Sequence, residues 1–227
     1  MAIFKSLDFL AVCCFAGAWI GYALLVEFTE RGKGGLNSRM NEYREIWIRR
    51  MLERDMRMMD MQIMASLQNG TAFFASTSLL ALGGALTLMR SPDDLMSVVT
   101  TLPFGVRVER DLWEIKTVGL AVILIYAFFK FAWSYRLFNY VAILYGAMPP
   151  VEEKDKPETE VHVMRTTQIF ENAGLHFNRG QRAFFFALDY LGWFVGPIAL
   201  MVTTVATVIV MWRRQFASAS YRAMLKR

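Results

Sequence analysis

The sequence predicts an all-α integral membrane protein with four transmembrane helices and long amphipathic helical extensions. Three observations point there. Apolar residues make up 55% of the 227 and charged residues 20%, against the usual ~45–50% and ~25% of soluble domains. Mean hydropathy is +0.31. The apolar excess is also concentrated, since residues 9–26, 61–89 and 190–212 contain no Asp, Glu, Lys or Arg. Such a composition excludes a disordered, collagen-like or disulfide-scaffold chain.

A hydrocarbon core about 30 Å thick needs ~20 apolar residues of helix. The first span runs over about 9–26 and holds the pair Gly17 and Gly21, whose spacing lets a second helix approach closely. Its Lys5 and Ala16-Gly17-Ala18 mimic a signal peptide. Apolar residues continue through Val26, however, so an uncleaved anchor is expected. Cys13 and Cys14 are neighbours within this run and read as small apolar residues. Arg31 to Gly35 is a glycine-rich break.

Residues 37–67 read as one amphipathic basic helix. Met40, Tyr43, Trp47 and Met51, then Met56, Met59, Ile63 and Leu67, recur at three- and four-residue spacing. Arg49, Arg50, Arg54 and Arg57 fall among them. They are candidates for contact with lipid headgroups or a partner, or for pairing with Glu53, Asp55 and Asp60 nearby. Seven of the fifteen methionines lie between 40 and 64. Thioethers suit Cu(I), but Ile63 interrupts the face, so adaptable packing is expected.

The second span covers about 70–89, with Gly83 and Gly84 on a small-residue face. Pro92 opens a short helix, which Pro103 and Gly105 end. The third span occupies about 117–147, and a helix over 113–147 would run ~50 Å, so part of it projects from the membrane. Pro149 and Pro150 stop it. Residues 149–180 form an acidic loop and a second amphipathic helix. The fourth span covers about 183–212, with Gly192, Gly196 and a kink at Pro197. The tail from Arg213 to Arg227 has five basic residues and no acids. Four spans put both termini on one side. Charge assigns them to the cytoplasm, against the eight basic residues between Arg31 and Arg57, which pull the first loop there instead.

The net charge of +5 belongs to loops facing anionic headgroups, and nucleic acid is not expected as a partner. No Walker A, HExxH, GxSxG or CxxC pattern occurs, and His162 and His176 have no ligand spacing around them. No enzyme activity, cofactor or metal is therefore expected. The chemically distinctive residues are charges among apolar neighbours: Lys130, Arg136 and Asp189. Each costs about 2.5–3.5 kcal/mol at a helix centre. Asp189 paired with Lys130 or Arg136 would neutralise both, as a structural ion pair or as part of an ion or proton pathway.

Several segments together carry a family likeness: Trp47–Asp60, Phe73–Ser78, Tyr126–Ser134, Arg136–Tyr140, and Gly180–Leu188 with Gly192-Trp193-Phe194. Over roughly residues 40–215 the chain resembles the bacterial and plant membrane family called domain of unknown function 599. The resemblance implies a small multi-span membrane protein and transfers no activity or site. The expected function is a structural, accessory or assembly subunit of the bacterial inner membrane. It would contact lipid and associate with itself or a partner membrane protein. The alternative is a small homo-oligomeric channel or transporter with a pathway near Lys130, Arg136 and Asp189.

Overall fold

The computed structural model describes residues 6–90 and 110–225. The short helix and break expected at Pro92, Pro103 and Gly105 lie outside these residues. The elements in chain order are α1 (Ser6–Phe28), α2 (Glu30–Lys33), α3 (Leu36–Met51), α4 (Met58–Arg90) and α5 (Arg110–Gly146). A 3-10 turn (Val151–Glu153), α6 (Pro157–Tyr190), α7 (Gly192–Val195), α8 (Pro197–Phe216) and α9 (Ala219–Leu225) follow. The described residues contain no strand. Helices α1, α4, α5 and the helical run beginning at Pro197 are long and apolar enough to cross a membrane by length and composition.

Local chemistry sets the boundaries. Thr29 joins α1 to α2: its hydroxyl donates to the Leu25 carbonyl at 2.5 Å and accepts from the Gly32 amide at 3.2 Å. Gly32 lies against the Val26 carbonyl, where a Cβ would not fit. The single amphipathic helix expected over 37–67 is instead two. α3 stops at Met51, a turn follows, and residues 58–67 open the long helix α4. Asp60, in the first turn of α4, anchors this bend. It accepts from Trp47 Nε1 at 2.6 Å and Arg54 Nη1 at 2.9 Å, and a carboxylate is favoured at a helix N-terminus.

The chain divides into two compact units. Unit 1 comprises residues 1–36, 78–126 and 182–227; unit 2 comprises 37–77 and 127–181. The core of unit 2 centres on Ile48, Met51, Met64, Phe138, Val141 and Phe170. Gly180 admits Phe131, whose ring would lie 2.9 Å from an added Cβ. The methionine cluster is therefore split. Met51 and Met64 are buried, whereas Met56, Met58, Met59 and Met61 are exposed.

The core of unit 1 is aromatic. Phe15 meets Phe186 edge-on at 5.5 Å, and Trp19 stacks on Phe186 at 5.3 Å. Such contacts contribute ~0.5–1.5 kcal/mol each beyond area burial. Gly119 leaves room for the Tyr190 hydroxyl. Here the fold departs from the kinked span expected over 183–212: α6 and α8 form an antiparallel hairpin closed by α7. In a continuous helix, residues 185 and 214 would lie about 43 Å apart at ~1.5 Å per residue. The Arg214 guanidinium instead sits 5.5 Å from the Phe185 ring centroid. Closer to the turn, Thr203 Oγ1 donates to the Asp189 carbonyl at 3.1 Å. A Cβ on Gly192 would meet Thr203 Oγ1 at 2.8 Å. The break has a local cause. Gly196 is fully extended and Pro197 occupies the first turn of α8, where a missing N–H costs nothing. As a result the hairpin turn and the N-terminal end of α1 share one end of unit 1. The C-terminal ends of α1 and α8 share the other.

Candidate functional site

Among the described residues of unit 1, a cluster of charged and hydrogen-bonded side chains lies at each end. Asp8 and Glu27 flank the charge-free run of α1. They are separated along that helix by about 28 Å at ~1.5 Å per residue, close to a ~30 Å hydrocarbon core. At the first end Asp8, 4% exposed, accepts from Trp193 Nε1 at 2.8 Å. Lys116, 1% exposed, donates from Nζ to the Trp193 carbonyl at 2.7 Å and lies 5.1 Å from the same ring. Trp193 lies in α7, a helix of one turn whose last carbonyls have no partner of their own. Lys116 satisfies one of them, while Asp8 satisfies the indole.

At the other end Glu27 pairs with Arg182, both side chains about nine-tenths buried. Two exposed cations stack on rings at this end. Arg31 lies 5.8 Å from the Trp212 ring and Arg214 lies over Phe185. Cations stacked on aromatic rings at the edge of an apolar layer suit the headgroup region of a bilayer.

Asp189 sits between these ends. It is 4% exposed. Its Oδ1 accepts from the Thr207 hydroxyl on α8, and its Oδ2 is buried without a hydrogen-bond partner. The hydroxyl that meets this carboxyl comes from its own unit. Lys130 and Arg136 lie on the unit 2 portion of α5. Arg136 is exposed. Its Nε donates to Tyr140 Oη at 2.7 Å, and its guanidinium lies 5.9 Å from the Trp133 ring and 5.6 Å from the Tyr140 ring. Lys130 is half-buried and has interactions of its own.

Three of the four arginines expected to meet lipid or a partner are engaged within unit 2. Arg49 reaches Glu160 by two bonds, at 2.9 and 2.8 Å, and also Glu45 at 3.0 Å. The hydrogen bonds from Arg49 hold the Glu160 carboxyl below its ordinary range. The same bonds raise the guanidinium of Arg49. Arg54 pairs with Asp60. Arg57 donates to the carbonyls of Met148 at 2.8 Å and Pro149 at 2.7 Å, closing the open C-terminal end of α5. Arg50 is exposed with no hydrogen-bond or ion-pair partner among the described residues. Arg44, not singled out by the sequence, lies 5.2 Å over Phe170 in a notch opened by Gly174. Burial lowers its guanidinium and raises the nearby Glu171.

The glycines expected on packing faces separate into two groups. A Cβ at Gly17, Gly21, Gly83 or Gly84 would meet no other atom within 4 Å. Gly192 and Gly196 instead serve the hairpin. His162 donates from Nε2 to the Leu144 carbonyl at 2.9 Å, tying α6 to α5. Among the described residues no group of three or more His, Cys, Asp or Glu is placed to hold a metal ion.

Sequence reasoning passed over the partners Asp8, Lys116 and Trp193, and the pair Glu27 and Arg182. The available signal was position, since Asp8, Glu27 and Lys116 directly adjoin apolar runs. A family model described as "Protein of unknown function, DUF599" matches residues 10–220. No curated protein and no solved structure matches.

Proposed function

The chain belongs to the DUF599 family, whose function is unknown, and we propose that it is a non-enzymatic assembly subunit of the bacterial inner membrane. It packs against copies of itself or against a partner membrane protein, with lipid around the rest. One observation carries this reading. Gly17 and Gly21 on α1, and Gly83 and Gly84 on α4, contact nothing within 4 Å of an added Cβ. Among the described residues nothing covers these positions, and small residues on apolar helices let a second helix approach closely. The test is oligomeric state in lipid nanodiscs and mild detergent, for the wild type and for Gly17→Ile with Gly21→Ile. An added Cβ meets no described atom at either position, so the variants are expected to keep their helicity and lose association. A wild-type protein that is a lone monomer throughout sinks the reading.

The rival reading, an oligomeric channel or transporter, draws on the half-satisfied carboxyl of Asp189. Ion or proton flux in liposomes that is lost in Asp189→Asn would favour it.

Orientation follows from where the basic segments leave unit 1. Eight basic residues lie between Arg31 and Arg57, and five between Arg213 and Arg227. The first segment follows the C-terminal end of α1 and the second follows that of α8, two ends that meet through Arg31 and Trp212. Their opposing pulls in a four-span scheme disappear in the hairpin. The Glu27 end then faces the cytoplasm, the C-terminus lies on that side, and the N-terminal end of α1 lies on the other. A C-terminal fluorescent-protein fusion should light up in cells. A cysteine added at the N-terminus, after replacing Cys13 and Cys14, should react with an impermeant maleimide from outside. Protection from that reagent would return both termini to the cytoplasm.

A further inference from the structure

We propose that Asp189 is a proton-binding site within the apolar layer, a carboxylic acid that carries its proton at neutral pH. The inference rests on the membrane placement of unit 1 and is independent of self-association. Asp189 lies seven positions after Arg182, which marks one end of the unit; that is about 10 Å of helix. One turn further on, Trp193 marks the other end. The residues beside it on α6, Phe186, Ala187 and Tyr190, are buried and carry no charge.

Among the described residues of unit 1, the other buried charges are committed. Arg182 holds Glu27 at one end. Lys116 holds the Trp193 carbonyl, and Asp8 the Trp193 indole, at the other. Arg214 and Arg31 are exposed and stacked on rings. What faces Asp189 from α8 is Thr207, through its hydroxyl, and Thr203, which bonds the backbone carbonyl. One hydroxyl is a small offset for an ionised carboxylate removed from water, whereas a neutral carboxyl with one free oxygen costs far less. The proton supplies what no described side chain of the unit does.

A buried, protonated carboxyl has a diagnostic reaction with an apolar carbodiimide. The acid proton passes to one carbodiimide nitrogen and the carboxyl oxygen bonds to the central carbon, giving an O-acylisourea. Away from water the acyl group shifts from oxygen to nitrogen, giving a stable N-acylurea. The whole reagent is retained, no group leaves, and no oxidant or reductant takes part.

The experiment treats full-length protein in nanodiscs with dicyclohexylcarbodiimide at neutral pH and maps the adduct by peptide mass spectrometry. A single dominant adduct at Asp189 is expected, absent in Asp189→Asn and retained in Thr207→Val. Asp8 and Glu27, already met by donors, should remain unmodified, and a water-soluble carbodiimide should leave Asp189 untouched while labelling exposed acids such as Glu158. No adduct at Asp189 in folded protein, or equal labelling of Asp189, Asp8 and Glu27, overturns the proposal. So does modification of Asp189 by the water-soluble reagent, which would also show that the site is open to water.

Discussion

The two ends of unit 1 and its interior treat a buried carboxyl differently. At the ends, Asp8 and Glu27 each face a nitrogen donor: an indole N–H with Lys116 nearby, and a guanidinium. In the interior, Asp189 faces a hydroxyl and keeps one oxygen bare. The ends are therefore built to hold a charge, and the interior is not. In a bilayer that pattern also has a positional meaning. Carboxylates about 28 Å apart along α1 bracket an apolar layer, and each staples α1 to a different part of the hairpin.

The largest effect should follow from breaking the Glu27 end. Removing one member of a buried pair leaves the other charge uncompensated, at about 3–5 kcal/mol, whereas replacing both by apolar residues costs much less. Arg182→Ala should be the most destabilising of the substitutions considered, and Glu27→Leu with Arg182→Met should recover much of the loss. Thermal or SDS unfolding in detergent measures both. Equal stability for Arg182→Ala and wild type would remove the distinction between ends and interior.

At the Asp8 end, Trp193→Phe keeps most of the ring and deletes the N–H that Asp8 accepts. The carboxylate is left buried without that bond, at roughly 1–3 kcal/mol. For the interior, Thr207→Val takes away the one hydroxyl that meets the Asp189 side chain. A protonated acid tolerates this at about 1 kcal/mol or less, close to the worth of one neutral hydrogen bond. An ionised Asp189 would lose as much as Asp8 does. The ranking of Trp193→Phe against Thr207→Val thus sharpens the contrast between the two settings.

The sequence made the all-α membrane architecture legible because its main signal is one-dimensional: long runs without charge, ended by Pro149 and Pro150 or by charged flanks. Two features escaped it. Proline within an apolar run is compatible with a kink or with a complete turn. Only contacts across the run, Asp189 with Thr203 and Thr207, distinguish them. The bend after Met51 likewise depends on Trp47, Arg54 and Asp60 converging, although no Pro or Gly marks the place. For the candidate site, Asp189 stood out as a charge in an apolar setting. Arg136, one of the cations expected to meet it, has Trp133 and Tyr140 as partners on its own helix, a local arrangement that carries a small ordering cost.

Unit 2 supplies the smallest predicted effect and a control for the rest. Arg49 and Glu160 form two parallel bonds, with both side chains about half exposed. In water such a pair contributes ~0–1 kcal/mol, so Arg49→Ala should shift stability by less than either variant at the ends of unit 1. Its signature is pH. Arg49 holds the Glu160 carboxyl below its ordinary value of 4.5, so the pair's contribution is complete above that value and fades as pH falls through the depressed one. The difference between wild type and Arg49→Ala should therefore be constant at neutral pH, shrink on acidification, and shrink also with added salt. A difference unchanged by acid and salt would mean that Arg49 acts through packing of its alkyl chain. Surface pairing would then not account for the arginine at position 49 in α3.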